Sequence, residues 1–170
     1  VSRPRIKSRS SLKDTAATTQ NGKERDMTDQ RSRAYKLQLS DQGIQLFLRC
    51  HCRLCHLIGD LLPYGTTLLV ALAALDRCAD GDLPGLFLDP EIDRLGGDRI
   101  RFVGTSAILS NLVAAIGARL AVAPVPRPPQ VWKIYLAALM HMEAMESRSL
   151  IHRCKELSVA ARRGPGKRGK

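Results

Sequence analysis

The run Leu68-Leu69-Val70-Ala71-Leu72-Ala73-Ala74-Leu75 constrains this chain more than any other stretch, because it offers water no polar side chain on any side. A helix that is apolar all round has to be enclosed by other elements. Thr66 or Thr67 can start it, and Asp80-Gly81-Asp82 stops it. The wider apolar stretch, Leu61 to Leu75, covers about 15 residues and is interrupted by Pro63 and Gly65, whereas a membrane span needs roughly 20. The segment is therefore expected at the centre of a small helical domain, with no membrane anchor.

The neighbours that would enclose it can be read from spacing. Ser40 stands where an N-cap would stand, and Ile44, Phe47, Leu48, Cys55, Ile58 and Leu62 follow at helical intervals until Pro63. Thr105 or Ser106 can cap a later helix in which Ile108, Leu109, Leu112, Val113, Ile116 and Leu120 recur, with Ser110, Asn111 and Arg119 outward. Gln130 to about Leu157 is the longest helical pattern, with Trp132, Tyr135, Leu139, Met142 and Leu150 among its apolar members. Leu83 to Arg101, broken by Pro84, Gly85, Pro90 and Gly96-Gly97, reads as turns with at most a brief helix over Pro90 to Leu95. Ala121 to Pro129 holds four prolines, which forbid helix and central strand alike, and reads as an extended connector. The fold class is mainly α.

A net charge of +11 suggests a polyanion partner, but its distribution changes what that means. Residues 1–37 carry +6 and residues 148–170 carry +7, while 38–147 carry −2. Residues 1–37 and 158–170 are read as disordered basic tails, since polar, aperiodic composition cannot offset ordering entropy by burial, and 38–157 as the helical domain. Such tails attract any polyanion by counterion release, without sequence preference. Met27 precedes the first patterned segment and is the expected start of translation. No apolar run of signal-peptide length occurs over 1–36, so a cytoplasmic location is expected.

The densest chemical cluster is Arg49-Cys50-His51-Cys52-Arg53-Leu54-Cys55-His56. Cys52-x-x-Cys55-His56 spells a c-type haem attachment site, a short spelling whose chemistry belongs outside the cytoplasm. Zinc is the better metal candidate, with Cys52 and Cys55 one helical turn apart and His152 and Cys154 completing four ligands from the last helix. Against it, His152 and Cys154 are two residues apart and face different ways on a helix. The bland reading makes Cys55 and Cys78 small core residues and turns the histidines to water. The acids between Asp76 and Asp98 lie in turn-like segments, where Asp bonds its local backbone. No phosphate-cradling loop or nucleophile elbow accompanies them. Neither catalysis nor a cofactor is expected.

Residues Val103 to Val122 carry a resemblance. A small turn, Val103-Gly104-Thr105-Ser106, leads into a helix with Leu112-Val113 at its middle and Ala118-Arg119-Leu120-Ala121 near its end. This is similar to the recognition-helix region of MarR-type winged-helix transcriptional regulators, and Leu68 to Leu75 resembles their central helix, so the likeness spans residues 40–145. It implies a winged helix-turn-helix with a long C-terminal helix, binding DNA. Thr105, Ser106, Ser110 and Asn111 would then face bases or phosphates, and Arg119, Arg127 and Lys133 the backbone. The helix over 130–157 would pair with its twin in a homodimer. The alternative is a non-enzymatic helical interaction or oligomerisation protein, with or without structural zinc.

Overall fold

The computed structural model describes residues 35–103, 106–122 and 129–163. In chain order its elements are β1 (Tyr35–Leu39), α1 (Asp41–Ile58), α2 (Tyr64–Leu75), α3 (Leu83–Leu88), α4 (Glu91–Leu95), β2 (Arg99–Val103), α5 (Ala107–Val122), α6 (Val131–Ala144) and α7 (Ser147–Arg163). The described part is mainly helical, as its apolar periodicities predict. None of its helices is long and apolar enough to cross a membrane.

The all-apolar run does sit at the centre. In α2 every residue from Thr67 to Leu75 except Leu69 is buried. Its principal partner is α6, buried continuously from Ile134 to Leu139 and again at Met142, and α1, α5 and α7 pack around this pair. Each fully covered leucine here contributes roughly 1.5–3 kcal/mol of transfer free energy. The central pair therefore supplies the frame on which surface residues are held.

Helix α1 begins as expected. The Gly43 amide donates to Ser40 Oγ at 3.1 Å, and the Ser40 hydroxyl donates to the Arg94 carbonyl at 2.7 Å, tying the cap to the end of α4. A side chain at Gly43 would place its Cβ 2.2 Å from the Leu95 carbonyl oxygen, so α4 can close on α1 only over a glycine. The helix ends at Gly59, whose φ of 75° is the left-handed conformation that glycine adopts without strain, four residues before Pro63. Its deepest stripe is Gly43, Leu46, Cys50 and Leu54, and the expected face of Ile44, Phe47 and Ile58 is only its half-buried flank.

Several expectations about organisation change; the stretch Leu83 to Arg101, read as turns with at most a brief helix over Pro90 to Leu95, holds α3 as well as α4. The pattern over 130–157 is two helices, broken at Met145 and Glu146, and α6 is the innermost element; Tyr135, Leu139 and Met142 are buried within this chain and cannot meet a twin. Arg53 of α1 fixes the elbow, donating to the carbonyls of Glu143 (2.8 Å) and Met145 (2.6 Å), acceptors that the end of α6 leaves unbonded. Strand β1 starts inside the expected tail 1–37, and buried Leu37 anchors it. It pairs antiparallel with β2, a segment read as turns, with Leu37 opposite Arg101 and Leu39 opposite Arg99. At the other end α7 continues to Arg163, inside the expected tail 158–170.

Candidate nucleic-acid interface

Helix α5 and its cap carry Ser106, Ser110, Asn111 and Arg119 of the residues that the MarR-like resemblance assigns to DNA. Ser106 caps it, accepting from the Leu109 amide at 3.2 Å, and the Ser110 hydroxyl donates to the Ser106 carbonyl at 3.3 Å. Ser106 and Asn111 are exposed and Ser110 is half-buried, so these three share the first turns of one helix. Thr105, Arg127 and the connector over 123–128 in which a wing would lie fall outside the described residues. Leu109, Val113, Ile116 and Leu120 form the buried face, as their spacing predicts. The exposed face beyond Asn111 is Ala114, Ala115, Ala118 and Val122, with no cation.

The two basic residues assigned to the phosphate backbone are otherwise engaged. Arg119 turns toward the end of α2, where its guanidinium donates to the carbonyls of Asp76 and Cys78 and to Asp80 Oδ1 at 2.8 Å. Helix C-termini present unbonded carbonyls and a partial negative charge, and a planar guanidinium satisfies several of them together. Lys133, at the start of α6, pairs with Asp93 of α4, its ammonium 5.5 Å from the Trp132 ring centroid.

This pairing is general across the folded part. Arg49 pairs with Glu143, Arg94 with Glu91, Arg99 with Asp41, and Arg77 and Arg153 with Glu156. Burial acts to raise the Glu156 carboxyl, but Arg77, Arg153 and His152 outweigh it and hold it below its ordinary value. Among the described side chains, Lys36, Arg101, Arg148 and Lys155 have no carboxylate partner, and Arg53 is held by carbonyls. Arg148 and Lys155 both lie on the exposed face of α7, whose opposite face buries Leu150 and Cys154 and half-buries Leu157. Beyond them the sequence continues Arg162-Arg163-Gly164-Pro165-Gly166-Lys167-Arg168-Gly169-Lys170. The charge of segment 148–170 already carried this signal. The four- and three-residue spacing of Leu150, Cys154 and Leu157 would have placed it on a separate amphipathic helix.

The metal candidates do not converge. Cys52 is exposed and Cys55 half-buried on α1; on α7, Cys154 is buried while His152 is exposed, its Nε2 3.3 Å from Glu156. Among the described residues no three His, Cys, Asp or Glu side chains could hold one metal ion. The core cysteines are Cys50 and Cys154, in place of the expected Cys55 and Cys78. Burial pushes the Cys50 thiol up to about 12, with Glu143 adding to the effect, and its Sγ lies 3.4 Å from the Leu139 carbonyl.

No protein-family model, no curated protein and no solved structure matches this chain.

Proposed function

We propose that this protein binds DNA, and that α7 with the basic termini supplies most of the binding groups, directed at phosphates. One observation carries the reading: apart from Lys36 on β1, the described cations off α7 are matched with acids or carbonyls, whereas Arg148 and Lys155 stand unmatched together on one face of α7, in a strongly basic stretch of sequence. Unpaired surface cations are the ones that can displace counterions from a duplex without first breaking an internal bond. In the finer version, a transcriptional regulator of MarR-like winged-helix type, Ser106 and Asn111 of α5 would supply sequence reading by one hydroxyl and one amide.

The test is binding of a short duplex to the full chain across a salt series. Log affinity should fall linearly with log salt, and Arg148→Ala with Lys155→Ala should make the slope shallower by about 2, near 0.9 for each phosphate no longer neutralised. Absence of binding at about 50 mM salt, or an unchanged slope in the double variant, would sink the proposal. Stable self-association without DNA binding would instead favour an interaction protein, for which the uncharged exposed face of α5 is the natural docking face.

A further inference from the structure

The cluster on α1 that fails as a four-ligand metal site contains a different arrangement. His51 and Cys55 are four residues apart, so one helix turn brings their side chains to the same face. Cys55 Sγ lies 3.7 Å from His51 Nε2, and on the other side of the ring Nδ1 lies 2.8 Å from Thr67 Oγ1 of α2. Thr67 is wholly buried. A hydroxyl in that position costs stability unless it is hydrogen-bonded, and its partner is this imidazole. With the proton on Nδ1 directed at Thr67, the Nε2 lone pair faces the thiol.

Two aromatic rings hold the imidazole in place. Phe47 stacks on it at 5.9 Å between centroids with planes 9° apart, and Tyr64 meets it edge-on at 4.8 Å. The outer side is open: His51, Cys52, Cys55, His56, Asp60 and Leu61 line a cavity of about 520 Å³. The other cysteines lack this combination. Cys50 and Cys154 are buried, burial raises the Cys78 thiol with Asp82 adding to it, and exposed Cys52, although His56 follows four residues on, makes no hydrogen bond to a base.

The backbone limits the chemistry. The amides of Gly59 and Asp60 both donate to the Cys55 carbonyl, and the Leu61 amide donates to Asp60 Oδ1. These cavity amides cannot also serve as an oxyanion hole, which acyl transfer requires. Attack on a sulfur electrophile needs no such donors, because the charge leaves on the departing thiolate.

We propose that Cys55, His51 and Thr67 form a thiol-exchange site for low-molecular-weight disulfides, with Cys55 as nucleophile, His51 as base and Thr67 as the residue positioning it. The Cys55 thiol passes its proton to His51 Nε2, and the thiolate sulfur attacks one sulfur of R–S–S–R. The Cys55–S–S–R bond forms as the substrate S–S bond breaks, and the departing R–S⁻ takes the proton from His51. One disulfide replaces another, so no further oxidant or reductant enters. This site stands apart from the DNA reading.

The experiment treats the full chain with oxidised glutathione and locates the adduct by peptide mass mapping. Cys55 is expected to be modified ahead of the more exposed Cys52. In a Cys52→Ser background, His51→Gln should slow modification at neutral pH by about tenfold or more. The two proteins should converge above about pH 8.5, where ordinary thiols ionise without a base. Thr67→Val, which keeps the buried volume, should show a smaller loss with the same convergence. Modification of Cys52 first, or a neutral-pH rate indifferent to His51→Gln, would overturn the proposal. Mapping of the wild-type chain decides the first point even where a variant fails to fold.

Discussion

Arg119 shows how a single residue can be misassigned. In an alanine-rich amphipathic helix a lone arginine reads as a phosphate ligand, because the groups that claim it, Asp76, Cys78 and Asp80, lie 39 to 43 residues earlier in the chain. The sequence places the end of α2 at Asp80-Gly81-Asp82, a few residues beyond its actual end at Leu75, and it does not reveal that α5 crosses there. The side chain is 26% exposed and bonded to two carbonyls and a carboxylate, so its removal leaves acceptors without their donor. Arg119→Gln should therefore lower stability by about 1–2 kcal/mol and leave the DNA affinity of the folded protein unchanged. Urea midpoints and duplex binding measured on the same preparation check this. Abolished binding with unaltered stability would return Arg119 to the interface.

At the scale of elements, what was legible in the sequence was what depends on local spacing. The run over Leu68 to Leu75 gave α2 and its central place, Ser40 and Ser106 marked real caps, and Pro90 to Leu95 contained α4. The features that spacing does not reveal depend on distant partners. Tyr35-Lys36-Leu37-Gln38-Leu39 and Arg99-Ile100-Arg101-Phe102-Val103 both alternate with period two, but each is a strand only because the other pairs with it across four intervening helices. The break between α6 and α7 has neither glycine nor proline, and its stabilising donor, Arg53, comes from α1. The buried stripe of α1 was obscured because it uses a glycine and a cysteine in place of larger apolar residues. Two glycines test this account with opposite signs. Gly43→Ala should destabilise by about 1–3 kcal/mol through overpacking against Leu95. Gly117→Ala, mid-helix in α5 with nothing within 4 Å of the added carbon, should stabilise by up to about 1 kcal/mol. Thermal melts of the two variants read both shifts, and the same sign in both would refute the packing argument.

Across the whole molecule the charge arithmetic and the packing describe one division of labour. The slightly acidic segment 38–147 uses most of its cations internally, and the excess stands at the ends of the chain. The candidate DNA surface was thus half legible: the count located the charge, and the fold added that part of it is displayed on an ordered helix. The thiol site was legible as a motif and illegible as chemistry, since Thr67 and Tyr64, which orient His51, come from the next helix. Acid should loosen this assembly in two steps. Burial lowers His141 on α6 from its ordinary 6.5, so the folded state resists protonation that the unfolded chain accepts. That contribution is present above about pH 6.5 and is lost as pH falls through and below it. Glu156 is likewise held below its ordinary 4.5, so the ion pair it makes with Arg77 between α7 and the end of α2 survives the first step and weakens as pH drops past 4.5 toward its lowered folded value. Urea midpoints at constant ionic strength should therefore hold steady above about 6.5 and decline in two stages below it. In His141→Gln the upper stage should vanish and the lower one remain; an upper stage that persists in this variant would show that another group, or general repulsion among the chain's excess cations, governs it.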